Sequence, residues 1–219
     1  MAFCMGPDFP RHQCLVYEGA PSRHIPPVAR VLSGKLRENH RCLYLNSRPM
    51  IAGMKSRLAA EGFDVEAEMA KGNLVLSSEQ SHLLGDWEFD VARMIQTLER
   101  SLSQALKDGY DGLWATGDMT WEFGPSKDLS KLLEYEWRLE EFMREHPEIG
   151  GICQYHADTL PRTILHDGVT AHRGLFVNET LSMINPHYLP PSSSADRSNM
   201  VKLDPFIDRL LERESVNEA

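Results

Sequence analysis

A chain of 219 residues with 42% hydrophobic and 25% charged residues can bury a full-sized core, and one domain with a tail is the simplest organisation. Its formal net charge of −9 and the lack of any basic stripe exclude a nucleic-acid surface, because counterion release needs clustered Lys and Arg. No apolar run approaches the roughly 20 residues of a membrane span, and the first residues show neither a charged leader nor a signal-length apolar stretch; a cytoplasmic protein without membrane contact is expected.

Along the chain, Cys14-Leu-Val-Tyr17 is short and apolar and reads as a first strand that ends in the turn Glu18 to Ser22. Ser22 is placed to cap a helix through Val28, Val31, Leu32 and Leu36, with Pro26 and Pro27 in its first turns. Cys42 to Leu45 is a second strand, Pro49 to Ala60 a second helix stopped by Gly62, and Leu74 to Leu76 a weaker third strand. After a loop from Ser77 to Asp86, Val91, Ile95, Leu98, Leu102 and Leu106 recur at helical spacing, and Gly109 ends that helix.

The stretch from Tyr110 to Trp121 then reads as a buried central strand running into a polar, aromatic loop at Thr116 to Trp121. Leu129, Leu132, Leu133, Leu139 and Met143 mark the next helix, Gly150 to His156 a fifth strand, Pro161 to His166 a short helix, and Val169 to Ile184 one or two edge strands. Pro190 to Ser194 is a linker, beyond which Asp204 can cap and Pro205 open a helix with Phe206, Ile207, Leu210 and Leu211 on one side. That terminal helix either docks on its own domain or pairs with a partner. Alternating strands and helices of these lengths predict a three-layer α/β/α sandwich with a mainly parallel sheet, whose ligands sit at the carboxyl ends of the strands.

The chemistry these residues support is limited. The first turn offers one Gly, no Lys and a carboxylate where a phosphate loop needs a ring of backbone N–H donors and a Lys, so ATP hydrolysis is not expected. Asp118 stands where a magnesium-binding or water-activating acid sits at a strand end, with a loop carboxylate capping nearby amides as the plainer reading. Glu136 falls inside the apolar face set by Leu132, Leu139 and Met143. A lone buried carboxylate costs several kcal/mol, so it predicts a partner such as Tyr17, Tyr155 or a His.

His12-x-Cys14 and Cys153-x-x-His156 together hold two His and two Cys. In a parallel sheet, however, His12 and His156 lie at opposite strand ends and Cys153 and His156 face opposite sides, so no metal or other cofactor is expected. The four cysteines, Cys4, Cys14, Cys42 and Cys153, lack CxxC spacing and read as reduced, mostly buried thiols. There is no nucleophile elbow and no catalytic residue to name. Aromatics with a few polar groups remain at the presumed ligand end, among them Tyr17, Trp121, Tyr135, Tyr155 and Tyr188 with Glu18, Asp118 and His172, a mixture that suits a small, partly apolar ligand.

The order of these landmarks resembles the MEDS family, the methanogen/methylotroph DcmR-like sensory domain, a divergent, degenerate relative of RecA/KaiC-type P-loop ATPases. The matching stretches are His12 to Glu18, Arg41 to Leu45, Asp108 to Leu113, Thr116 to Trp121, Leu133 to Glu136, Cys153 to Tyr155, His172 and Asn185 to Tyr188. They divide the chain into an N-terminal extension (1–11), a sensory domain (12–190) and a linker with a C-terminal amphipathic helix (191–219).

The resemblance implies a non-catalytic ligand-binding module that senses small hydrocarbon derivatives and works with a kinase or transcription regulator. It implies ligand-binding roles for His12, Tyr17, Glu18, Trp121, Glu136, Tyr155 and His172, with Gly117 also matching the pattern. The family usually has Glu where this chain has Asp118, and an acidic residue where it has His156, so ligand choice is expected to differ. With no helix-turn-helix or kinase module in the sequence, output is expected to pass through a separate regulatory partner or through self-association as a homo-oligomer. The competing expectations are a degenerate nucleotide-binding ATPase that uses Asp118 or Glu136, and an interaction module that works through the tail helix.

Overall fold

The computed structural model describes residues 10–78, 89–119, 129–178, 181–190 and 203–215. Cys4, Trp121 and most of the linker lie outside them. The elements run β1 (His12–Tyr17), α1 (Ile25–Arg37), β2 (His40–Leu45), α2 (Arg48–Ala60), α3 (Val65–Lys71), β3 (Leu74–Ser77) and α4 (Val91–Lys107). They continue with β4 (Gly112–Asp118), α5 (Leu132–Glu145), β5 (Ile149–His156), α6 (Arg162–Ala171), β6 (Gly174–Asn178), β7 (Leu181–Ile184) and α7 (Asp204–Ser215).

The strands form one seven-stranded sheet in the order β3-β2-β4-β5-β1-β6-β7. Every pairing is parallel except the antiparallel β6–β7 edge. Alternation along each strand splits the core in two. Cys14, Val16, Leu43, Leu113, Cys153 and Tyr155 pack under α4, α5, α6 and α7, while Leu15, Tyr17, Cys42, Tyr44, Trp114 and Ile152 pack under α1, α2 and α3. This is the three-layer α/β/α sandwich with a mainly parallel sheet that the sequence predicts.

Several local expectations are corrected. Ser22 does not cap α1; it lies in a 3-10 turn (Pro21–His24), and His24 is the N-cap. α4 presents Val91, Met94, Leu98, Leu102 and Ala105 to the core, so its buried stripe is turned relative to the expected one and Leu106 is exposed. Val169 to Ala171 complete α6 rather than opening an edge strand. α3 was not anticipated. Seven residues give too short a window for periodicity, but Asp64 caps the helix by accepting from the Ala67 amide at 3.0 Å.

The terminal helix α7 docks on its own chain. Ile207 is fully buried, with Phe206, Leu210 and Leu211 in the same core cluster as β1 and β6 residues. Asp204 does not act simply as a cap: its carboxylate accepts from Arg162 Nε at 2.8 Å and pairs with His166 Nε2 at 2.7 Å, which ties α7 to α6. No described helix is long and apolar enough to cross a membrane.

Candidate functional site

His12 opens β1 and Tyr17 closes it; an odd spacing of five puts the two side chains on opposite faces of the sheet. Each stands in its own buried polar group.

The first group lies at the carboxyl edge, on the α1 side. Tyr17 donates its hydroxyl to Asp118 Oδ2 at 3.2 Å, reaching across the end of β5 from β1 to β4. Its ring stacks on His156 (centroids 4.8 Å apart, 12° between planes) and leans on His24 at 4.2 Å. Below them Gln154 donates to Thr116 Oγ1 at 3.0 Å, and Thr116 donates to the Ile152 carbonyl at 2.7 Å. Tyr44 accepts from Asn46 at 3.2 Å. Burial raises the Tyr44 phenol, against the Asn46 hydrogen bond and with help from the Asp118 charge, so it stays neutral.

The turn that follows β1 is satisfied from within. The Gly19 amide donates to Asp158 Oδ2 at 2.8 Å, and the Gly19 carbonyl is 2.9 Å from His156 Nε2. Glu18 is exposed beside it.

The second group is fully enclosed on the other face, under α5. Glu136 has no exposed surface. It receives the Tyr155 hydroxyl on Oε1 and the Cys153 thiol on Oε2 at 3.6 Å. The same Oε2 is 3.2 Å from His12 Nε2 and 3.4 Å from His172 Nε2. His12 Nδ1 lies 3.0 Å from Glu140 Oε2, and His172 Nδ1 donates to the Gly168 carbonyl at 2.7 Å. The two imidazole rings lie against each other, tilted by 42°, with centroids 3.9 Å apart.

Electrostatics divide these two histidines. Burial pulls His12 down, but hydrogen bonds and charge from Glu136 and Glu140 outweigh it and raise its pKa from 6.5 to about 9. Burial and the neighbouring His12 charge lower His172 to about 4, so it is neutral. Burial would raise the Glu136 carboxyl, but the two histidines and the Tyr155 hydroxyl hold it below its ordinary value. Cys14, on the same face, and Tyr155 are pushed up, first by burial and then by the Glu136 charge.

A family model described as the methanogen/methylotroph, DcmR sensory domain matches residues 11–173, from the start of β1 to the start of β6. The chain belongs to the MEDS family. It is therefore a sensory domain, as the landmarks implied. No curated protein matches it in sequence.

Among solved structures, it is similar to a Pyrococcus horikoshii protein of uncharacterised role crystallised with an unknown peptide, at 16% identity over 76% of each chain and a TM-score of 0.56. That likeness concerns the fold alone. The flagellar accessory protein FlaH of Methanocaldococcus jannaschii is 12% identical over 85% of this chain and 84% of its own, at a TM-score of 0.49. A KaiC-like protein of Pyrococcus horikoshii is 12% identical over 76% and 70% at the same score. Likeness at that level says nothing of chemistry.

In this MEDS chain, the residues expected to line one hollow are distributed over two places. Tyr17 and Asp118 meet at the carboxyl edge with Glu18 beside them, whereas His12, Glu136, Tyr155 and His172 meet inside the opposite layer. Trp121 lies outside the described residues. Sequence reasoning missed Glu140 and the approach of Cys153 to Glu136. The first was legible, since Glu140 follows Glu136 by one helical turn on the same buried stripe. The second required α5 to pack over the face of β5 that carries Cys153.

Proposed function

We propose that this MEDS domain is a cytoplasmic, non-catalytic sensor that takes a small, partly apolar molecule at the carboxyl edge of its sheet and passes its state to a regulatory protein partner. The observation that supports this reading is that polar groups at this edge are taken up internally: the Gly19 amide in the turn after β1 is given to Asp158, and Asp118 at the end of β4 accepts from Tyr17. A triphosphate would have to displace both carboxylates, and the turn has no Lys with which to do so. At that edge the rings of Tyr17, His24 and His156 gather beside the buried Asp118 carboxylate, a mixture of aromatic and polar groups that suits a neutral or weakly polar ligand.

The tail-helix route to a partner loses its apolar face, because Ile207 and its neighbours are buried in the chain's own core.

The test is calorimetric titration of the full chain with short halogenated and methylated hydrocarbon derivatives, beside magnesium-ATP. Saturable binding of an organic ligand, weakened at least tenfold by Tyr17→Phe, supports the sensor. ATP turnover lost in Asp118→Asn would instead establish a degenerate ATPase.

A further inference from the structure

We propose that His12, Glu136, Cys153 and His172 form a buried four-ligand site for one divalent transition-metal ion of the zinc class. Their donor atoms, two imidazole Nε2, one carboxylate oxygen and one thiol sulfur, all lie within 4.8 Å of one another, and all four residues are buried.

Four observations converge. The first is spacing. Two donors held about 2.0–2.3 Å from one ion at tetrahedral angles stand roughly 3.3–3.7 Å apart. Here the His12 and His172 nitrogens are 3.2 and 3.4 Å from Glu136 Oε2, and Cys153 Sγ is 3.4 Å from His12 Nε2 and 3.6 Å from Glu136 Oε2.

The second is an orphaned atom. His172 gives its Nδ1 proton to the Gly168 carbonyl, which leaves Nε2 as a lone pair; that buried nitrogen has no hydrogen-bond partner and points at a carboxylate oxygen 3.4 Å away. Two acceptors facing each other in a dry interior call for a cation between them. An imidazolium at His12 serves Glu136 and Glu140 but leaves the His172 nitrogen unserved, whereas a metal ion serves all four donors.

The third is the outer layer. Each histidine directs its other ring nitrogen at an oxygen, Glu140 for His12 and the Gly168 carbonyl for His172, while Tyr155 holds the second oxygen of Glu136. Such outer hydrogen bonds orient metal-binding side chains and fix the imidazole tautomer. The fourth is charge. On binding, the Cys153 thiol and the His12 Nε2–H each release a proton to solvent, and thiolate plus carboxylate balance a dication in a buried site.

A mixed nitrogen, sulfur and oxygen set of four protein donors suits zinc more than magnesium or calcium, and it leaves no open position for a catalytic water. The ion would join β1, α5, β5 and the segment after α6. The expectation of no metal rested on a set of His12, Cys14, Cys153 and His156. His156 does stand apart, against Tyr17, and Glu136 and His172 take the places of Cys14 and His156.

The site is independent of the edge-ligand reading, so either can fail alone. The full chain is stripped by a chelator under mild denaturant, refolded and titrated with Co2+ and Zn2+. The expected result is one equivalent bound, with a thiolate-to-cobalt band and the visible absorption of tetrahedral Co2+. Zinc should raise the melting temperature by roughly 5–10 °C at a hundredfold excess over the dissociation constant. Cys153→Ser abolishes the band, His172→Ala weakens binding at least tenfold, and Cys42→Ser, on the other face of the sheet, leaves both unchanged. Absence of the band in the wild-type chain, or its survival in folded Cys153→Ser, overturns the proposal. Should Cys153→Ser not fold, the wild-type spectrum and His172→Ala decide it.

Discussion

Gly168 of α6 packs against Tyr155 of the enclosed group, and replacing it by Ala tests that packing directly. A Cβ at Gly168 would stand 2.5 Å from Tyr155 Cε1 and 2.6 Å from Cζ, far inside van der Waals contact. The Tyr155 ring cannot retreat cheaply: it is fully buried, its hydroxyl is held by Glu136, and its edge meets the His172 ring at 6.0 Å and 87°. Overpacking of this kind costs about 1–3 kcal/mol, and moving the ring also risks a hydrogen bond to a charged group worth about 1.5–3 kcal/mol.

Against this, Ala in place of Gly inside a helix returns about 1 kcal/mol. The net expectation is a loss of about 2 kcal/mol, or roughly 4–8 °C in melting temperature for a domain of this size. Gly34 of α1 is the control. Nothing lies within 4 Å of a Cβ placed there, so Gly34→Ala should stabilise by up to about 1 kcal/mol. Urea unfolding with an unchanged slope, followed by tryptophan fluorescence, reads both. If Gly168→Ala stabilises as Gly34→Ala does, Tyr155 is not fixed as described and the enclosed group loses its roof.

Three further outcomes are expected. In the chelated chain, stability should peak near pH 6.5. The His12 contribution is complete below its ordinary 6.5 and is lost as pH rises through about 9, while His172, held neutral to about 4, costs stability as pH falls below 6.5. Each limb is worth about 3 kcal/mol, and an alkaline limb that persists in His12→Gln would refute the assignment. Tyr17→Phe and Asp118→Asn should each cost roughly 1–3 kcal/mol, and their double-mutant cycle should show coupling of at least about 0.5 kcal/mol; strict additivity would mean the 3.2 Å contact carries nothing. Ile207→Ala should destabilise the whole chain by about 2–5 kcal/mol in one cooperative transition, and a change confined to the tail by proteolysis would place α7 outside the core.

The sequence by itself determined the alternation of strands and helices, the mainly parallel sheet and the family, because these rest on local periodicity and on the order of short landmarks. It also determined that Glu136 enters an apolar face and needs a partner. It did not determine α3, which is too short for periodicity, nor the turn of the α4 stripe, which depends on packing against β4.

The grouping of the site was decided only by tertiary structure. His12 and Tyr17 look like neighbours in sequence, yet strand alternation sends them to opposite layers. His12, Glu136, Cys153 and His172 span 160 positions, and only the insertion of β1 between β5 and β6 brings them together. Whether α7 docks on its own chain was open for the same reason: an amphipathic helix specifies that its apolar side will be covered, and the three-dimensional chain specifies by what.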